Sequence, residues 1–393
     1  MSATTGYLRA EISAAAIRWN LGLLREGLAP RTHLCAVVKA DCYGHGLATL
    51  LPVLARSADC LAVATPTEAL ALRHLGYHGL VLVFSACAYG DGAQIVATLD
   101  DLIEQQITLS VASAAEIVNI AASGLRVGKR ASVHIKLDSG MGRSGLLPAS
   151  VGVVVKQLRQ HPVVDFTGIY THLATADEAD KSFALEQFRR FMQAAGNIAG
   201  VGNSPPQELV GQCPILLHAA NSAATIDLPQ THLNMVRPGI ALYGYQPSEQ
   251  MHRRLPLRPA LRLLGPLIQV KALTAGSKCG YGLTHAFEVD SRVGLVPIGY
   301  ADGYLRSLSN RACMRVRGRE APIRGRISMD QTIIDLTDVP EARVGDEVEI
   351  ISPDPAAPNS VENLARLAGT IPYEITCRLG GRIDRVLVDA ELE

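Results

Sequence analysis

The sequence predicts an α/β protein in which a (β/α)8 TIM barrel is followed by a β-rich C-terminal domain. Three observations carry that expectation. Apolar runs of strand length recur eight times up to about residue 243, and helical patterns separate most of them. Near-continuous apolar strands alternating with helices indicate a parallel sheet buried on both faces, and eight units fit a closed barrel. From about residue 245 the texture changes to proline-rich linker and then to short alternating strands punctuated by turns. Finally, 393 residues exceed the usual size of one hydrophobic core.

In chain order, Tyr7-Leu-Arg-Ala-Glu-Ile alternates as a strand, so residues 1–10 are expected to join the C-terminal domain. A helix near Ser13 to Leu28 opens the barrel domain, residues 11–245. The eight barrel strands are expected at His33–Lys39, Cys60–Ala64, Leu80–Phe84, Thr108–Ala112, Val133–Leu137, Phe166–Tyr170, Ile215–His218 and Asn234–Val236. Thr65-Pro-Thr-Glu, Ser113-Ala-Ala-Glu and Asn221-Ser-Ala-Ala place capping residues just after strands, where helices should begin. Gln246-Pro and Leu255-Pro-Leu-Arg-Pro mark a linker at 246–257. The remainder, 258–393, reads as strands such as Leu267-Ile-Gln-Val-Lys-Ala-Leu and Glu347-Val-Glu-Ile-Ile, with one helix near Val361–Leu367.

Composition excludes several function classes. Lys+Arg and Asp+Glu are equal at 37 each, so no polyanionic partner such as nucleic acid is expected. The start, Met1-Ser-Ala-Thr-Thr-Gly-Tyr-Leu-Arg, carries no apolar signal core, and no run of about 20 apolar residues follows. A cytoplasmic protein without membrane association is the expectation. Eight scattered cysteines without Cys-x-x-Cys spacing argue against structural zinc and a disulfide framework.

In a barrel of this kind chemistry gathers at the carboxyl ends of the strands. Those positions hold Lys39 and Tyr43 after strand one, Lys136 and Arg143 around strand five, and Tyr170 and His172 after six. Asn221 and Ser222 follow strand seven, and Arg237 follows eight. Lys39 ends an apolar run, which would desolvate its ammonium and prepare a nucleophilic amine. Taken alone it better fits a strand-end lysine whose stem snorkels toward water. The convergence of two lysines, two arginines and a histidine on one mouth favours the chemical reading. The segment Arg237-Pro238-Gly239-Ile240 and the helix start at Asn221-Ser222 lie in the two loops where such barrels bind phosphate. A lysine beside a phosphate site fits a phosphorylated carbonyl compound held as an imine, and pyridoxal 5'-phosphate is the cofactor of that type.

These residues stand in motifs that closely resemble the alanine racemase family of fold-type III pyridoxal-phosphate enzymes along essentially the whole chain. The motifs are A-V-V-K-A-D-C-Y-G-H-G at 36–46, H-I-K-L-D-S-G-M-G-R at 134–143, T-H-L-A-T-A-D at 171–177 and H-A-A-N-S-A at 218–223. V-R-P-G-I-A-L-Y-G at 236–244, G-Y-G at 280–282, P-I-G-Y-A-D-G at 297–303 and R-I-S-M-D-Q at 326–331 complete the series. Cys42 stands where Ala is more usual, and Ser139 replaces the commoner Thr.

The resemblance implies that Lys39 holds the cofactor and that Tyr43, Asn221, Ser222, Tyr373 and the backbone of Gly239 and Ile240 hold its phosphate. Arg237 would face the pyridine nitrogen. Tyr281 would be the second catalytic base, with His172 and Arg237 supplying the cationic surroundings a phenolate needs. Arg143, Met329, Tyr300 and Asp330 would serve the substrate. Lys136 matches a lysine carbamylated in many members, and alternatively pairs directly with Asp138 or another carboxylate. In the family Tyr281 and Met329 come from the partner subunit, so a homodimer with shared active sites is implied. The implied activity is interconversion of L- and D-alanine, supplying bacterial cell-wall peptidoglycan. A racemase of serine or another amino acid, or a non-enzymatic pyridoxal-phosphate carrier, are the alternatives.

Overall fold

A computed structural model describes residues 7–87, 92–199 and 215–389. The chain opens with strand β1 (Arg9–Ser13) and a helix over Ala14–Glu26, which Ser13 caps by accepting the Ala16 N–H at 3.0 Å. Eight parallel strands follow: β2 (His33–Val37), β3 (Cys60–Val63), β4 (Val81–Val83), β5 (Leu109–Val111), β6 (Ala131–Lys136), β7 (Val164–Tyr170), β8 (Leu216–His218) and β9 (Met235–Val236). Ladders run β2 to β4 and β5 to β8, and a Leu82–Thr108 bridge joins the two sets. Bonds from Asn234 N–H to Leu217 C=O and from Arg237 N–H to Ala220 C=O join β8 to β9. Pairing of His33 with Met235 closes the ring, so the barrel expectation is met.

Differences from the expected limits have physical causes. The first strand stops at Val37 because the chain enters a left-handed turn at Ala40. β6 and β7 each begin two residues early, at Ala131 and Val164, where polar Ser132 and Asp165 break the apolar run. Ser132 is satisfied inside the sheet by Thr167, 2.7 Å away. Of the three expected caps, Thr65 and Asn221 accept helix N–H groups, and Thr65 completes a capping box with Glu68. Ser113 occupies the cap position but donates its hydroxyl to Glu116 instead.

The C-terminal half contains β10 (Leu261–Pro266), β11 (Gln269–Leu273), β12 (Lys278–Cys279), β13 (His285–Ala286) and β14 (Ser291–Val296). β15 (Cys313–Val316), β16 (Arg319–Pro322), β17 (Thr332–Asp335), β18 (Glu347–Ile351) and β19 (Asp384–Val388) follow. One six-stranded sheet runs β16-β15-β18-β10-β1-β19, so β1 lies between β10 and β19. The expected helix spans Val361–Ala368, and a second, unexpected helix at Pro372–Cys377 carries Tyr373. A continuous apolar core runs from the barrel into this sheet. The seven described cysteines are free thiols, and only Cys377 is exposed. No helix among the described residues is long and apolar enough to cross a membrane.

Candidate active site

Lys39 leaves the end of β2 and begins a turn in which four consecutive non-glycine residues are left-handed: Ala40 (φ 52°), Asp41 (54°), Cys42 (55°) and Tyr43 (53°). For L-residues this conformation costs roughly 1–2 kcal/mol each, so the turn exists only because its surroundings impose it. Glu68 accepts the Ala40 N–H at 2.7 Å, and Asp41 accepts the Leu47 N–H at 2.6 Å. The His45 ring, stacked on Tyr243, reaches the carbonyls of Cys42 and Tyr43 through Nδ1 at 3.0 Å each. Those contacts fix Nδ1–H as the donor tautomer, and burial pushes the ring's pKa down to about 4. Cys42 fills the core beneath the turn. The turn places Lys39 half-buried at the mouth, where burial and then the Arg143 charge lower its pKa.

At the other end of this turn Tyr43 lies over Gly239. A Cβ at Gly239 would stand 2.3 Å from the Tyr43 hydroxyl, so glycine is what permits the approach. Ser222 Oγ accepts the Gly239 N–H at 2.8 Å and sits at the start of a helix, Ser222–Asp227, capped by Asn221. Tyr373 closes the same cradle, its ring 6.0 Å from that of Tyr43. Hydroxyls, backbone N–H groups and a helix start thus converge beside Lys39, and this donor set suits a phosphate ester. Tyr43, Ser222, Gly239, Ile240 and Tyr373 come together as expected groups within one chain.

Arg237 is 3% exposed and makes no ion pair among the described residues. It donates to His218 Nδ1 at 2.8 Å and to the carbonyls of Thr171 and Ala219 at 2.7 and 3.2 Å, and its guanidinium lies over the Tyr170 ring. Burial lowers its pKa to about 10, leaving it charged at neutral pH. Because His218 Nδ1 accepts from Arg237, its Nε2–H must be the donor to His134 Nδ1, 2.9 Å away. Both rings are buried and neutral. Lys136, also buried, has its pKa lowered to about 8 by burial, then by Arg143 and Arg237. It makes no ion pair with Asp138, whose Oδ1 accepts the N–H groups of Gly140, Met141 and Gly142 at 2.8–3.1 Å. Lys136, Arg143 and His172 line one small cleft with Ser144 and Thr171. Burial, then Arg237 and Arg143, push His172 down to about 3. His172 is therefore neutral, and the cations at this mouth are Lys39, Lys136, Arg143 and Arg237. Ser139, in place of Thr, shares a hydroxyl contact with Thr171 at 2.7 Å.

The other expected site residues stand apart within one chain. Tyr281 is 70% exposed on the turn Tyr281–Leu283, and Met329 and Tyr300 are exposed as well. The Tyr300 N–H bonds the Ser328 carbonyl and the Ala301 N–H bonds the Met329 carbonyl, so those two loops form one surface. Asp330 is held by Arg382, which also bonds Asp302. Among the described residues, none of the four has a hydrogen bond, ion pair or ring contact with the barrel mouth. Sequence reasoning singles out Glu68 only as a helix cap, yet one oxygen supports the Lys39 turn and the other bonds Ala64 and Thr65. His218 and His134 lie inside the quoted motifs without an assigned role. Their signal was polar residues in otherwise apolar strands.

Family models describe both halves: the alanine racemase N-terminal domain matches residues 12–247 and the alanine racemase C-terminal domain matches 260–387. The alanine racemase of Methanococcus maripaludis is 39% identical over 380 residues, covering 96% of this chain and 97% of the relative. That of Desulforamulus reducens is 39% identical over 382 residues, covering 96% and 98%. Among solved structures, alanine racemase from the D-cycloserine-producing Streptomyces lavendulae superposes with a TM-score of 0.87 at 35% identity, covering 98% of each chain. The Bacillus anthracis alanine racemase with bound L-Ala-P gives 0.86 at 30% identity, covering 98% of this chain and 96% of that one. A closed barrel with this strand-end constellation, matched over both domains, makes the chain a member of the alanine racemase family of isomerases.

Proposed function

We propose that this chain interconverts L- and D-alanine with pyridoxal 5'-phosphate, using two bases on opposite faces of the substrate. The observation that carries the reading is the cradle of Tyr43, Ser222 and Gly239 directly beside a half-buried lysine of lowered pKa. Bound there, the cofactor supplies an electron sink that acidifies the amino acid's α-hydrogen. Tyr43, Ser222, Tyr373 and the backbone of Gly239 and Ile240 hold its phosphate, and Asn221 keeps the helix start in place. Arg237 would face the ring nitrogen with a charged donor that keeps its proton, which would limit the sink and disfavour decarboxylation and transamination.

Lys39 takes or returns the α-proton at Nζ, and the lowered pKa keeps part of it neutral for that task. Tyr281 of a second copy works the opposite face through its phenol oxygen, with Met329 and Tyr300 of that copy bounding the substrate. Exposure of these three large side chains in one chain supports a homodimer with shared sites. Arg143 binds the substrate carboxylate or the cofactor's phenolic oxygen. A Lys136 poised at about 8 offers the neutral amine that carbamylation requires, and the resulting carbamate would orient Arg143. We place the domain boundary at residues 246–257 and the enzyme in the cytoplasm, where D-alanine would feed peptidoglycan synthesis.

A chiral assay of purified protein with L- and D-alanine, with and without added pyridoxal phosphate, tests the activity, and serine and lysine as substrates test its specificity. Absence of cofactor-dependent racemisation refutes the reading. Mixing inactive Lys39→Ala and Tyr281→Phe proteins should restore activity, because hybrid dimers contain one intact site. No recovery after verified subunit exchange refutes the shared site.

A further inference from the structure

The Lys39 turn has a second anchor that the catalytic reading does not use. Arg385, on β19, donates all five of its N–H groups to backbone carbonyls. Nη1 bonds Gly380 and Ile383 at 2.6 and 2.7 Å, Nη2 bonds Leu379 at 2.7 Å and Gly44 at 3.2 Å, and Nε bonds Gly44 at 3.2 Å. Gly44 ends the left-handed turn, and Leu379–Ile383 continues from the helix that carries Tyr373. The stem packs at Gly46, where a Cβ would stand 3.0 Å from Arg385 Cγ. Among the described residues no carboxylate makes an ion pair with the guanidinium, although it is half-buried and burial lowers its pKa.

This arrangement differs from a surface ion pair in kind. A planar fork that satisfies four carbonyls from two distant segments fixes their relative position, and an ammonium with three donors cannot reproduce it. One segment ends in the turn bearing Lys39 and Tyr43, and the other follows the helix bearing Tyr373. Gly44 packs so closely on this helix that a Cβ would fall 1.9 Å from the Thr376 carbonyl oxygen. The titratable groups that act on Arg385 without contact are Asp41 and His45 beside the turn and Asp384 on its own strand.

We propose that Arg385 is a positioning residue for the cofactor: it locks the Lys39–Tyr43 turn to the Tyr373 helix and so assembles the phosphate cradle from both domains. The proposal rests on the reading that pyridoxal phosphate occupies this cradle. Arg385→Lys and Arg385→Gln test it, the second retaining two N–H donors in case the first does not fold. Two readouts are used on apo-protein: the dissociation constant for pyridoxal phosphate from absorbance titration, and hydrogen exchange of the peptide covering residues 39–47. We expect at least a tenfold weaker cofactor constant and faster exchange in that peptide, with exchange in β5–β7 unchanged. At saturating cofactor kcat should fall while KM for alanine stays within twofold, because Arg385 touches no substrate group. Folded variants with wild-type cofactor affinity and wild-type exchange at 39–47 overturn the proposal. Wild-type protein that takes up no pyridoxal phosphate overturns the cofactor reading instead, and unchanged exchange at 39–47 in the variants would then overturn the lock itself.

Discussion

Replacing Gly239 by alanine tests the cradle directly. The added Cβ would lie 2.3 Å from the Tyr43 hydroxyl, 2.8 Å from Cζ and 3.4 Å from Cε2. Normal carbon contacts start near 3.5 Å, so the hydroxyl must move by roughly 1 Å. Tyr43 has little freedom to do so. Its ring is packed 5.1 Å from Tyr243 and 6.0 Å from Tyr373, and its backbone belongs to the left-handed turn. Overpacking of this kind costs about 1–3 kcal/mol of stability. Misplacing a hydroxyl that bonds a phosphate costs about 1.5–3 kcal/mol more in cofactor binding, or roughly 10- to 100-fold in the dissociation constant. Urea unfolding of apo-protein measures the first quantity and absorbance titration with pyridoxal phosphate the second. In a Tyr43→Phe background the Gly239→Ala penalty on stability should shrink but not vanish, because the hydroxyl is gone while Cζ remains at 2.8 Å. Cofactor affinity within twofold of wild type, or strictly additive stability losses in the double variant, would refute the geometry.

Stability should fall steeply on mild acidification. His45, His134, His172 and His218 all have pKa values depressed by burial, to about 4 for the first and about 3 for the next two, so the unfolded chain binds protons below about pH 6.5 that the folded chain does not. Stability is then full above 6.5 and drops by up to about 1.4 kcal/mol per pH unit per histidine below it, so a urea midpoint unchanged between pH 7.5 and 5 excludes neutral burial of these rings. Glu68→Ala should destabilise by about 2–4 kcal/mol, since a helix cap and the Ala40 N–H lose their acceptor together, whereas Glu68→Gln keeps an acceptor and should lose much less. Thermal or urea unfolding of the pair distinguishes this from a generic surface charge loss. Arg143→Gln removes a cation that lowers the Lys39 pKa, so the midpoint of the pH dependence of cofactor capture by apo-protein should move up; a midpoint that stays or moves down contradicts the coupling.

The barrel was legible because strands buried on both faces must be apolar throughout, and helix caps follow them at short distance. Lys39, Arg237 and the Asn221-Ser222 helix start were visible as polar residues at strand ends. The conformation of the turn after Lys39 was not. Ala, Cys and Tyr have no local preference for left-handed backbone, and the turn is held by Asp41 and His45 within it together with Glu68 from a distant helix. Arg385 meets Gly44 across 341 residues of chain, a contact no periodicity encodes. The neutrality of His172 was equally hidden, because it depends on burial and on four surrounding cations rather than on spacing. Lys136 illustrates the same limit. Its neighbour Asp138 looks like a partner in sequence, yet the tight loop at 140–142 claims that carboxylate with three N–H groups.

Charge gives the separate parts of the site a common logic. Four basic side chains, Lys39, Lys136, Arg143 and Arg237, converge on one mouth; burial and then Arg143 push Lys39 toward its neutral form, and burial, Arg143, Arg237 and Lys39 do so for Lys136. The two carboxylates that act on them, Glu68 and Asp138, already accept backbone N–H groups, and Asp138 lines the cleft without an ion pair to Lys136 among the described residues. Such an excess of positive charge is unfavourable in a partly desolvated site unless an anion completes it. A phosphate ester in the Tyr43 cradle and a substrate carboxylate beside Arg143 are the anions the proposed reaction brings, and a carbamate on Lys136 would turn one cation into a third. Binding them would offset the Arg143 charge, the second cause after burial of the lowered Lys39 pKa.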